Sequence, residues 1–171
     1  MFDSRTPEPP GPAGIPRRLT VTSLITVITV VAVDLGSKAA IAHNLEPGQR
    51  TGLLQPTGNE EFSLGIVGTH STLMVALMML GILTAAVWCR RMLREQRISP
   101  VAAGLTIGGA VGNTVDRLLH GAVQDFLIAG PAIINLADLA VLFGVTASAY
   151  GVARTQVHQN GRHHIERPRQ H

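Results

Sequence analysis

The chain has 171 residues, 46% of them hydrophobic and 15% charged, against about 25% charged in a typical soluble domain. Its net charge of +3 and pI near 10.0 require no nucleic-acid partner, because the basic residues fall where membrane topology would put them. The single cysteine, Cys89, excludes an intramolecular disulfide and offers no zinc or redox site, so it reads as a reduced packing residue.

Taken in chain order, residues 1–18 hold Pro7, Pro9, Pro10, Pro12 and Pro16, a composition that predicts a disordered cytoplasmic tail. The apolar run Leu19–Val33 follows, extended by Asp34–Ile41. Arg17–Arg18, this run and Ala40-Ile41-Ala42 together imitate a cleavable secretory signal, a reading opposed by Asp34, Gly36 and Lys38. Residues 44–70 are punctuated by Gly48, Gly52, Pro56, Gly58, Gly65 and Gly68 around strand-length apolar pieces, Leu53–Leu54 and Phe62–Val67. They predict a small β element on the membrane surface. Thr72–Trp88 is an uninterrupted apolar stretch, Val101–Val115 is Gly-rich, and Ile133–Ala153 carries Asn135 and Asp138 near its start.

Each stretch approaches the roughly 20 residues of a membrane-crossing helix, and each is apolar all round at its middle, unlike the helices of a soluble bundle. The fold class expected is an all-α membrane protein of four transmembrane helices with a small extracytoplasmic β-cradle at about 44–70. The helices and cradle form one domain, 19–154, and a second cytoplasmic tail follows at 155–171. His158, His163, His164 and His171 in that tail read as solvated residues, and no metal or cofactor is expected. Arg17 and Arg18, then Arg90, Arg91, Arg94 and Arg97, then Arg154, Arg162, Arg167 and Arg169 place both termini and the loop between helices 2 and 3 in the cytoplasm. Segments 34–71 and 116–132 are then outside.

Against this apolar background stand Asp34, Asn113, Asp116, Asp125, Asn135 and Asp138. A carboxylate at membrane depth costs several kcal/mol on insertion scales and persists where something uses or pairs it. Asp34 lies 16 positions after Arg18, Asn113 lies 16 after Arg97, and Asp138 lies 16 before Arg154. Each is thus about 24 Å along a helix from a basic anchor, which predicts one polar layer near the outer face. Asn113 and Asp116 share a helix face, and Asn135 and Asp138 repeat the spacing. The two pairs fit either a functional site or a structural hydrogen-bond cluster between helices. Asp125, flanked by Val123-Gln124 and Phe126-Leu127-Ile128, is either a surface residue or a carboxylate dipping to the rim of the bundle. If it approaches Asp138, the pair shares one proton and supplies an acid and a base near neutral pH. Gly104, Gly108 and Gly112, at four-residue spacing, predict close helix packing.

The segments VDLGSK (33–38), NEEFSLG (59–65), GGAVGNTVDR (108–117), AVQDF (122–126) and NLAD (135–138) resemble, in order, the motifs of lipoprotein signal peptidases, the type II signal peptidase family of bacterial membranes. The chain looks like a divergent, actinobacterial-like member. The resemblance implies four membrane helices, an external β-cradle and a small periplasmic helix. It implies an aspartic endopeptidase of the cell membrane, with its active site at the extracytoplasmic face. Such an enzyme removes signal peptides from prolipoproteins by cutting before a diacylglyceryl-modified Cys. Asp125 and Asp138 fall on the catalytic aspartates, while Asp34, Asn59, Asn113, Asp116, Arg117 and Asn135 fall on residues that orient the dyad or contact substrate. The partners implied are prolipoproteins and membrane lipids, with no nucleic acid, and the protein is expected to be a monomer. NEEFSLG departs from the usual NTGAAFG by adding Glu60 and Glu61. The 127–137 segment is shorter than is usual and lacks the aromatic-Pro-x-Phe lead into N-x-A-D. The alternatives are a non-catalytic homologue that binds lipidated peptides and a proton-coupled transporter. The second is disfavoured because no acidic residue interrupts Leu19–Val33, Thr72–Trp88 or Leu139–Ala153.

Overall fold

A computed structural model describes residues 15–59 and 71–165. Most of the N-terminal tail, the piece Phe62–Val67, and Glu60, Glu61, Ser63 and Gly65 of the NEEFSLG segment lie outside these residues. Four long helices carry the architecture: α1 (Arg17–Asn44), α2 (Ser71–Arg94), α3 (Pro100–His120) and α4 (Leu136–Ile165). Three strands lie between them in the chain: β1 (Leu54–Asn59), β2 (Val123–Ala129) and β3 (Ala132–Ile134).

Within α1, α2 and α4 lie three segments long and apolar enough to cross a membrane, Arg17–Asn44, Val75–Arg94 and Leu136–Val157. Their outward surfaces are hydrocarbon: Leu24, Ile25, Ile28, Leu80, Leu83 and Leu142 are all exposed, the arrangement expected where lipid is the solvent. The helix α3 differs for a physical reason. It packs against α1, α2 and α4, so most of its surface faces protein and does not have to be apolar. Ten of its residues are buried, among them Thr106, Thr114, Asp116 and Arg117.

Sequence chemistry sets the ends of α3. Ser99 accepts a hydrogen bond from the Ala102 N–H at 3.0 Å, and Pro100 occupies the first turn, where a missing N–H costs nothing. Gly121 closes the helix in the left-handed conformation (φ 74°), which favours glycine. The glycines between these ends allow helix contact, as their spacing predicts. A β-carbon on Gly104 would lie 2.5 Å from Thr26 Cβ, and one on Gly108 would lie 2.9 Å from Val30 Cβ, both on α1. Gly109 faces α4, where a β-carbon would strike the Ala137 carbonyl.

At one end of the bundle Cys89, Met92, Leu93, Ile98 and Ala103 form a buried apolar cluster that fastens α2 to α3. The other end carries the sheet, antiparallel in the order β1-β2-β3, with Thr57 opposite Asp125 and Leu127 opposite Ile134. Three expectations change here. The β element is not confined to 44–70, since β1 pairs with β2 and β3 from the segment between Asp125 and Asp138. That segment is a hairpin turning at Gly130 (φ 65°), and among the described residues no small external helix occurs. Ile133 and Ile134 end β3 and do not begin the fourth helix, because β-branched residues pair readily in a strand and Asn135 supplies a helix start. At the far end α4 continues past residue 154 to Ile165.

Candidate active site

The first turn of α4 is built by Asn135 and Asp138. The Asn135 side-chain oxygen accepts the Asp138 N–H at 2.9 Å, while Asp138 Oδ2 accepts the Asn135 N–H at 3.2 Å. This reciprocal cap satisfies donors that a helix start leaves without partners, and it fixes the Asp138 carboxylate in space. A third donor of the same turn, the Ala137 N–H, reaches across to Asp34 Oδ1 on α1 at 2.9 Å. Asp34 is therefore a cap from another helix, fully buried, and it ties α1 to the start of α4.

Asp125 arrives from the sheet. In an antiparallel pair, opposed and diagonal residues share a face, so Asn59 near the end of β1 reaches the Asp125 side chain. Asn59 Nδ2 donates to Asp125 Oδ2 at 3.1 Å, and Asn135 Nδ2 donates to Oδ1 at 2.7 Å. Asn135 thus bonds both carboxylates, Asp125 through its side chain and Asp138 through its backbone. Burial pushes the Asp125 carboxyl above its ordinary range. The two asparagine donors oppose that rise by favouring the anion, and the charge of Asp138 reinforces it. The site therefore holds one carboxyl inclined to keep a proton, next to a second carboxyl in the first turn of a helix. That arrangement can supply an acid and a base together.

A second layer supports this pair. Asn113 on α3 donates to Asp138 Oδ1 at 2.8 Å, and its own oxygen faces Lys38 Nζ at 3.5 Å. Lys38 bridges Asp34 Oδ2 at 2.7 Å and Asp116 Oδ2 at 3.2 Å, all three side chains being nearly inaccessible. The ammonium can only donate, so it fixes which end of the Asn113 amide turns towards Asp138. Asp116 also accepts the Gln124 N–H at 2.6 Å and pairs with His120 Nδ1 at 2.8 Å, which anchors the chain one residue before Asp125. Arg117, also buried, lies within electrostatic range of Asp125 and Asp116. Among the described residues, no group of three or more His, Cys, Asp or Glu is placed to hold a metal ion.

All eight residues singled out in the sequence, Asp34, Asn59, Asn113, Asp116, Arg117, Asp125, Asn135 and Asp138, converge on this end of the bundle. Comparison with known proteins agrees with the motifs that carry them. Residues 26–154 match the signal peptidase (SPase) II family. The chain belongs to that family. A lipoprotein signal peptidase of Rhodopseudomonas palustris (strain TIE-1) is 31% identical over 148 residues, covering 74% of this chain and 88% of the relative. One from Enterobacter sp. (strain 638) is 35% identical over 133 residues, covering 69% and 80%. A bacterial membrane enzyme solved by the in meso method at 2.3 Å resolution superposes with a TM-score of 0.68 at 25% identity, over 80% of this chain and 90% of that one.

Lys38 lies within the VDLGSK motif, but the motif reading assigns it no role in the site. The sequence signal was present in its position four residues after Asp34 within an apolar helix, where the two share a face. Its bond to Asp116, on a different helix, was not legible in any local pattern.

Proposed function

We propose that this signal peptidase II family member hydrolyses the peptide bond before the diacylglyceryl-modified cysteine of prolipoproteins, with Asp125 and Asp138 as its catalytic dyad. The observation that carries the assignment is Asn135, which hydrogen-bonds both carboxylates and makes them neighbours at one end of an apolar bundle.

Asp125, whose carboxyl is raised by burial, carries the proton and donates it to the scissile carbonyl oxygen. Asp138 takes a proton from the attacking water. The oxygen adds to the carbonyl carbon, giving a tetrahedral diol. Asp138 returns its proton to the departing nitrogen, and the C–N bond breaks. The carbonyl reforms as Asp125 recovers its proton, leaving a carboxylic acid and the free amine of the lipidated cysteine. Asn113 and Asn135 hold the carboxylates through this exchange, and Asp34, Lys38 and Asp116 hold the asparagine-bearing helices. Asn59 and Arg117 face Asp125 from the sheet and from α3, suited to contact the substrate backbone.

The remaining features fit the same reading. The helix α3 is the fourth membrane span, enclosed by the other three. Positive charge at Arg90, Arg91, Arg94 and Arg97 supports a cytoplasmic position for that end and an extracytoplasmic one for the dyad in the cell membrane. The substrate enters sideways from the bilayer with its acyl chains remaining in lipid, and the protein works as a monomer.

The test is cleavage of a purified diacylglyceryl-prolipoprotein by the wild type and by Asp125→Asn and Asp138→Asn in detergent or nanodiscs. Wild-type turnover with loss of at least about a thousandfold in each variant, both still membrane-inserted, is the expected outcome. No cleavage by the wild type, with the lipidated peptide bound, identifies instead a non-catalytic receptor. Near-normal cleavage by either variant rejects the dyad.

A further inference from the structure

Far from the carboxylates, α1 and α2 each pack on α3 but hardly touch one another. Between them lies a cavity of about 540 Å³, within the roughly 300–1,000 Å³ range of small-molecule sites. Its walls include Leu24 and Val27 of α1, Ala86 of α2 and Ile107 of α3. Leu24 is exposed, so the cavity reaches the lipid-facing surface of the bundle. Leu24 also precedes Asp34 by ten residues, about 15 Å along the helix axis, which separates this space from the site above.

Arg90 and Arg94, both exposed, also line the cavity. These cations sit four residues apart on one helix, where like charges repel. Nearby Glu95 is already engaged, pairing with Arg91 at 3.0 Å and Arg97 at 3.3 Å. Among the described residues, no carboxylate lies within ion-pair distance of Arg90 or Arg94. An apolar slot has thus been given two arginines that, among the described residues, have no carboxylate partner.

We propose that this cleft binds one anionic phospholipid, an acyl chain between α1 and α2 and the phosphate on Arg90 and Arg94. Guanidinium groups recognise phosphate oxygens by paired N–H donors, and basic pockets between membrane helices take anionic head groups. The substrate's own signal segment is a poor occupant, because its leading region is positively charged and would meet two arginines. The bound lipid fills the gap beside α2, a helix whose contacts with the rest of the bundle run mainly through α3.

Native mass spectrometry of the full-length protein tests this, using phosphatidylglycerol and phosphatidylcholine with identical chains. The expected result is one retained phosphatidylglycerol, with at least about fivefold higher occupancy than phosphatidylcholine. Arg90→Gln/Arg94→Gln, at two exposed positions, should abolish that preference. Ala86→Phe, which fills the slot and keeps the charge, should reduce retention of both lipids. Equal retention of the two lipids by the wild type overturns the proposal, and so does a preference that survives the double arginine variant. Undiminished binding by Ala86→Phe places the lipid elsewhere and overturns it too.

Discussion

Lys38 offers the sharpest test of how the site is held together. Its ammonium lies between Asp34 and Asp116, and the three side chains are 4%, 0% and 1% exposed. Replacing it with Met keeps the length of the side chain and removes the charge, leaving two carboxylates buried without their shared cation. Breaking a buried ion pair from one side costs about 3–5 kcal/mol, since the remaining charge is uncompensated. For a chain of this size, 1 kcal/mol moves the melting midpoint by about 2–4 °C, so Lys38→Met should lower it by roughly 6–20 °C. The triple variant Asp34→Asn/Lys38→Met/Asp116→Asn removes the stranded charges with the cation and should recover a substantial part of that loss. Both are measured by thermal unfolding of the detergent-solubilised protein at neutral pH. A Lys38→Met midpoint within about 2 °C of wild type would refute the buried-triad argument. A triple variant less stable than the single one would refute it equally.

Three further outcomes follow from the same geometry. Asn59 donates to Asp125 and favours its anion, so Asn59→Leu should push that carboxyl still higher and shift the alkaline limb of the pH–rate profile upward. A limb that stays in place or moves down would contradict the assignment of the proton to Asp125. Because the folded-state pKa of Asp125 is raised, its contribution to stability is present at low pH and is lost as pH rises through that value. Asp125→Asn should flatten this part of the stability–pH curve, measured by unfolding at a series of pH values. Gly109→Val places branched carbon against the Ala137 carbonyl, forces α3 and α4 apart and should cost about 1–3 kcal/mol or more, with activity falling because Asn113 leaves Asp138. Gly36→Ala, where a β-carbon meets nothing within 4 Å, serves as its control and should leave the melting midpoint nearly unchanged.

Much of the molecule was written in local pattern. Apolar runs bounded by arginines mark the helices, since hydrocarbon solvent demands a continuous apolar surface and an internally bonded backbone. Ser99-Pro100 and Gly121 mark the ends of α3 through backbone chemistry that needs no tertiary partner. The Asn135–Asp138 cap is equally local. Three positions apart, the two residues can exchange bonds only in the first turn of a helix. The order of the motifs was enough to name the family.

What pattern alone did not decide was partnership across the chain. The strand β1 closes on β2, some seventy residues away, and that pairing alone brings Asn59 to Asp125. Asp34 reads in sequence as a charge within an apolar helix, yet its work is to cap α4, more than a hundred residues later. Lys38 joins α1 to α3 through a carboxylate that no helical periodicity associates with it. Hydrogen bonds and ion pairs act over about 3 Å of space, whatever the separation along the chain. The residue types were therefore fixed by sequence, while their roles became definite only once the helices had packed.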